Sequence, residues 1–142
     1  MTPKNILSGL LSVIAISSML SFSACKKEED DDHDHTTADT VKPALSISSP
    51  TDMKVYYSGD TVWIKGSVSD ASLHELLIKI TKDSDGSVLF TEAPVVHDMT
   101  SYTINSFWKS QVSDHSNAKV IVLAEDHSGN VSSDTVRIHI MP

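Results

Sequence analysis

From Pro43 onward, apolar residues recur at every second position. In the stretch from Asp60 to Val68, Val62, Ile64 and Val68 share one face with Gly66, while Thr61, Lys65 and Ser67 take the other. Val136, Ile138 and Ile140 alternate in the same way with Thr135, Arg137 and His139, and Leu76, Ile78 and Ile80 repeat the pattern between them. A period of two marks strands that bury one face. Val120 to Ala124 is a nearly continuous apolar run, which predicts a central strand covered on both faces. Turn chemistry separates the runs at Ser49-Pro50-Thr51, Ser58-Gly59-Asp60, Asp83-Ser84-Asp85-Gly86 and Asp126-His127-Ser128-Gly129-Asn130. The pattern predicts strands over 44–49, 54–57, 61–69, 73–82, 87–92, 100–106, 118–125 and 131–141. Residues 73–81 are also long enough for a short helix. Their β-branched Ile78, Ile80 and Thr81, followed by an Asp-Gly turn into Ser87 to Phe90, favour a strand and hairpin. Seven or eight short strands in one small domain, 43–142, predict an all-β fold, an antiparallel β-sandwich.

The N-terminal segment has a different grammar. Lys4 precedes an apolar run from Ile6 to Phe22 diluted by serines, which ends in Ser23-Ala24 before Cys25. This is the layout of an export signal over 1–24. An uncleaved membrane helix is the competing reading, although the run is at or below the roughly 20 residues that a bilayer core requires. Cys25 is the only cysteine, so no intramolecular disulfide can form. Phe22-Ser23-Ala24-Cys25 resembles the lipobox of bacterial lipoproteins, with Phe22 standing where that motif usually has an aliphatic residue. The resemblance implies cleavage before Cys25, acylation of its thiol with palmitate-type chains, and a membrane as the first partner. Several acyl chains at about 0.8 kcal/mol per buried methylene make such an anchor effectively permanent.

Charge divides the remainder. Residues 26–42 carry seven carboxylates and three lysines but only Ala38 and Val41 as apolar residues, so they predict a disordered acidic spacer over 25–42. Lys27-Glu28-Glu29 directly after the cysteine resembles the export signal of Bacteroidetes surface lipoproteins. That likeness implies an outer-membrane lipoprotein exposed at the cell surface; a periplasm-facing anchor is the alternative. Removing the leader takes away one lysine and no acid, which moves the net charge from −8 to −9. With no basic stripe, this balance argues against nucleic-acid binding.

No nucleophile elbow, phosphate-binding glycine loop or His-Glu-Xaa-Xaa-His motif is present, so no catalytic residue is assigned and no enzymatic activity is expected. No cofactor is required by the sequence. The donors available to zinc or copper are His33 and His35 in the acidic run, and His97, His115 and His127, each beside an aspartate in a predicted connection. Filling polar turn positions is the plainer role for these loop histidines. Asp126 and Asn130 offer oxygens to calcium, but such a site needs six or more ligands and turn formation accounts for them more simply. Trp63, Tyr57 and Trp108 are the aromatics expected to face solvent, where they would stack on a glycan or anchor a protein partner.

Ser58-Gly59-Asp60-Thr61-Val62, Val68-Ser69-Asp70 and Ala124-Glu125-Asp126-His127-Ser128-Gly129-Asn130-Val131 together resemble bacterial immunoglobulin-like modules. The resemblance covers nearly all of 43–142 and implies an immunoglobulin-like sandwich; the lone cysteine excludes the disulfide of antibody domains, and the outward register of Trp63 does not match their buried tryptophan. The leading expectation is a non-catalytic, lipid-anchored envelope module with a binding or structural role. The alternative is a metal-binding envelope lipoprotein that uses the Asp/His-rich spacer and the loop histidines.

Overall fold

The period-two alternation is realised as eight strands: β1 (Ala44–Ser49), β2 (Lys54–Tyr57), β3 (Thr61–Ser69), β4 (Leu73–Lys82), β5 (Val88–Glu92), β6 (Ser101–Lys109), β7 (Ser116–Asp126) and β8 (Val131–Met141). These come from a computed structural model that describes residues 39–142. The leader, Cys25, Lys27, Glu28, Glu29, His33 and His35 lie outside the described residues. Residues 73–82 form a strand, as their β-branched content predicts. Among the described residues, no helix is long and apolar enough to cross a membrane.

The strands form two sheets, ordered β1-β3-β6 and β2-β8-β7-β4-β5. All pairings are antiparallel except β2 beside β8, which is parallel. The chain changes sheet between β1 and β2, across a cis Ser49–Pro50 bond, and again at β2–β3, β3–β4, β5–β6 and β6–β7. This is the immunoglobulin plan: strands A, B and E in one sheet, and C′, C, F and G in the other. The connection 93–100 stands where that plan places its D strand. The fold class expected from the sequence is therefore observed, and the domain is an immunoglobulin-like β-sandwich.

The inward registers of both sheets build one core. Val62, Ile64 and Val68 of β3 and Ile104 of β6 face Leu76, Ile78 and Ile80 of β4, Val120 and Val122 of β7, and Ile138 and Ile140 of β8, all of them buried. Each such side chain contributes about 1.5–3 kcal/mol when fully buried. Two expectations need correction. Strand β7 is central, but only one face is fully buried; Ile121 and Leu123 on the other are half-covered. An antiparallel sheet of this kind packs one face on the core and leaves the other to solvent. The acidic spacer was also expected to run to residue 42. Instead Asp39 is tied to the domain, its backbone carbonyl accepting a hydrogen bond of 3.0 Å from Asn130 Nδ2, and Ser132 Oγ donates to the Pro43 carbonyl at 2.6 Å.

Gly66 lies on the inward register of β3, opposite Ile47 of β1, close to the point where β1 shifts register between Ile47 and Ser49. A Cβ at this position would run into the Ser46 carbonyl oxygen and come within 3.2 Å of Ile47 Cα. Because both obstacles are backbone, relief requires β1 to move away from β3. Gly66→Ala should lower unfolding stability by about 1–3 kcal/mol, the usual penalty of overpacking. Urea unfolding followed by tryptophan fluorescence measures it, and an unchanged midpoint would show that β1 is free to shift.

Candidate metal centre

Hydrogen bonding around one buried leucine assembles the most unusual side-chain cluster of the domain. Leu73 opens β4 with no exposed surface. Its N–H donates to the Met99 carbonyl at 2.8 Å, and its own carbonyl accepts from Asp98 N–H at 2.9 Å. The connection 93–100 is thus laced to the start of β4, and Val96, 1% exposed, anchors it in the core. On the other side, His127 N–H donates to the Ser72 carbonyl at 3.1 Å. Three segments distant in sequence therefore meet at one tip of the sandwich.

Each segment brings an imidazole. The ring centroids of His74 and His97 are 5.3 Å apart, those of His74 and His127 4.8 Å, and those of His97 and His127 4.5 Å. One nitrogen from each ring lies within 4.8 Å of the other two. Asp98 joins two of them: its carboxylate oxygens lie 3.0 Å from His97 Nδ1 and 3.0 Å from His127 Nε2. Both distances suit an imidazole N–H donating to a carboxylate. Asp98 adopts a left-handed φ of 63°, a conformation that aspartate tolerates better than most residues. His74 Nδ1 is enclosed and has no hydrogen-bond partner among the described residues, which is uncommon for a buried polar atom.

His74 comes from a bulge. In the ladder between β4 and β7, Leu73 pairs with Asp126 and Glu75 with Glu125, so the register shifts at His74. The extra residue re-aims its side chain, as bulges next to binding sites often do. Without it, His74 would share the inward register of Leu76, Ile78 and Ile80. Strict alternation therefore hides this residue, and sequence reasoning missed it.

The turn that carries His127 is built on Asp126, a carboxylate only 2% exposed. Its Oδ1 accepts from Ser128 N–H and Asn130 N–H, each at 2.8 Å, and its Oδ2 accepts from Asn130 Nδ2 at 2.8 Å. Gly129 supplies the positive φ of 80° that the turn requires. Burial alone would push the Asp126 carboxyl up, but the hydrogen bonds from Asn130, Ser128 and Gly129 outweigh it and hold the group below the usual carboxylate range. Asp39 and Asp70 also bring carboxylates near Asp126. Asp126 itself is occupied by the turn, which is the role that its spacing predicts.

The other candidates separate. His115 lies before β7 and His127 after it, so about 35 Å of strand divides them at roughly 3.3 Å per residue. His115 stacks instead on His139, with centroids 5.9 Å apart. Among the aromatics, Trp63 is 44% exposed and Tyr57 62%. Trp108, expected outside, lies on the inward register of β6 and packs half-buried against the core. Its neighbour Phe107 takes the outward position, 59% exposed and 5.4 Å from the Trp63 ring across the β3–β6 ladder. The register of Tyr102 and Ile104 continues through Ser106 to Trp108, because β6 runs past residue 106, where the sequence pattern ends it.

Three imidazoles form a donor set suited to zinc, copper or nickel, with Asp98 beside two of them. Zinc–nitrogen bonds of about 2.0–2.1 Å place tetrahedral donors about 3.4 Å apart, so side-chain rotations of roughly an ångström close the triangle. Turn-forming aspartates would not by themselves bring three imidazoles together.

No family model matches the chain, and no curated protein matches it. Solved structures are similar over 71% of its length. One is an engineered protein, 16% identical with a TM-score of 0.50, of which the matched region covers 20%. Others are the fibronectin(III)-like modules of Clostridium thermocellum CbhA, 22% identical with a TM-score of 0.46 and 47% covered, and murine CRIg, 17% identical with a TM-score of 0.41 and 98% covered. The chain thus spans about a fifth of the first structure and about half of the second. At these identities the likeness concerns the fold alone.

Since the folded-state pKa of Asp126 is lowered, its carboxylate stabilises the domain fully above the ordinary value of 3.8, and that contribution is lost as pH falls below it. Asp126→Asn should lower the Tm at neutral pH and flatten its decline below about pH 5. Thermal unfolding between pH 2.5 and 7 reads both effects. A variant curve parallel to that of the wild type would remove the carboxylate from the turn's stability.

Proposed function

We propose that this chain is a lipid-anchored module of the bacterial cell envelope that binds a transition-metal ion, zinc or copper, at the tip of its immunoglobulin-like domain. The observation that carries the reading is the meeting of His74, His97 and His127, two of which also face the Asp98 carboxylate. Its action is binding rather than catalysis. Imidazole donors hold the ion, and metal competes with protons for them, so affinity falls in acid.

Support for the anchor comes from the sequence: an apolar leader, one cysteine at its end, and Lys27-Glu28-Glu29 immediately after. These point to the outer membrane and its outer face. The Asp39–Asn130 hydrogen bond adds that the chain enters the domain beside the turn carrying His127. The histidine tip is therefore the end of the domain where the spacer attaches.

Isothermal titration of zinc into the mature chain, 25–142 with Cys25→Ser to remove the competing thiol, tests the metal reading. One equivalent should bind with submicromolar affinity. His33→Ala/His35→Ala should leave that event intact, whereas His97→Ala/His127→Ala should weaken it at least 100-fold. Loss of binding in the spacer variant alone would assign the metal to the spacer and refute the tip.

The anchor is tested on the full-length chain in cells. Metabolic labelling with a palmitate analogue should mark the wild type, and Cys25→Ser should abolish the label and release the protein from the membrane fraction. A labelled Cys25→Ser variant would contradict the assignment.

A further inference from the structure

The histidine tip differs from a structural metal site in three ways. First, the domain is already held together without an ion. The segments that carry the donors are pinned by the backbone hydrogen bonds of Leu73 with Met99 and Asp98 and of His127 with Ser72, and by the buried side chains of Leu73 and Val96. Structural zinc is typical where the core is too small to fold alone. Here both sheets share a continuous apolar core.

Second, the rings that carry the donors are partly open to solvent, although His74 Nδ1 is enclosed. The side chains of His74, His97 and His127 retain 37%, 54% and 36% of their exposure, and Asp98 retains 73%. An ion held by the three imidazoles stays within reach of a competing ligand, with a fourth position open to it.

Third, a cleft of about 340 Å³ runs alongside, lined by His74 and His97 and by Leu77, Ala93, Pro94 and Val95. Val95 is 87% exposed, so the cleft presents an apolar lip next to two of the donors. A ligand with an apolar body and a nitrogen or sulfur donor fits this combination.

Resting on the metal reading above, we infer that the ion is cargo, held for transfer rather than as a staple. An acceptor with imidazole or thiolate donors enters along the cleft and forms a bond to the ion at the coordination position that three imidazoles leave open. The imidazoles are then displaced one after another and take up the protons that the acceptor's donors release. No oxidation state changes, and the acceptor carries the ion away.

Stopped-flow transfer of zinc to the chromogenic chelator 4-(2-pyridylazo)resorcinol provides the test, with the mature Cys25→Ser, His33→Ala/His35→Ala chain loaded with one equivalent. Transfer should finish within seconds, at a rate that rises in proportion to chelator concentration. Ala93→Trp, which fills the cleft, should slow it at least tenfold while leaving the zinc Kd within threefold. The zinc-free chain should keep its β-sheet circular dichroism and cooperative unfolding. Slow release independent of chelator concentration, or a zinc-free chain that fails to fold, overturns the cargo inference while leaving the metal reading in place. Unchanged transfer in Ala93→Trp rejects the cleft as the route. Absence of zinc uptake by the loaded-chain protocol overturns the metal reading itself.

Discussion

The antiparallel ladder between β4 and β7 is the constraint on which the tip depends. It runs from Leu73 opposite Asp126 to Lys82 opposite Ala118, and β7 is paired again with β8 on its other side. A strand bonded along both edges has no freedom to slip, because a one-residue shift would turn Val120, Val122 and Ala124 out of the core. The end of β7 is therefore fixed against the start of β4, and His127 follows that end. The bulge at His74 is the single irregularity in this part of the ladder, and it falls at the one position where a polar ring would otherwise enter the core.

Around this fixed point the tip balances unlike demands. Leu73 and Val96 need burial, and their burial holds the backbone on which His74 and His97 are carried. Asp126 sits below the surface but is satisfied by three hydrogen bonds from its own turn. Asp98 is exposed, in a left-handed backbone conformation, with its carboxylate between two imidazoles. The two aspartates beside histidines thus do different work: one shapes the loop, and the other faces the donors. Three imidazoles lie within about 5 Å of one another, with the Asp98 carboxylate against two of them and that of Glu75 4.0 Å from the third.

Much of the fold was legible because alternation and turn chemistry agree. β1 to β4 and β8 have the limits that the pattern predicts, and β5 to β7 differ by one to three residues at their ends. The extension of β6 to Lys109 matters most, since it carries Phe107 outward and Trp108 inward. Tyr102 and Ile104 already set that phase, but the predicted strand stops at 106, so their register was not carried on to Trp108. The site was half legible. His97 and His127 stand out as histidines beside aspartates in connections, but His115 fits the same description and lies at the far end of β7. What separates them is topology: the 93–100 connection and the β7–β8 turn meet at one end only because the chain crosses between sheets in the immunoglobulin order. His74 was hidden by the very regularity that made the strands readable.

Zinc K-edge X-ray absorption on the mature Cys25→Ser, His33→Ala/His35→Ala chain loaded with one equivalent tests the central claim most directly. The expected spectrum is a shell of light donors at about 2.0–2.1 Å with the multiple-scattering signature of three imidazoles. An all-oxygen shell without imidazole scattering, or the same spectrum from a chain that also lacks His74 and His97, would contradict it.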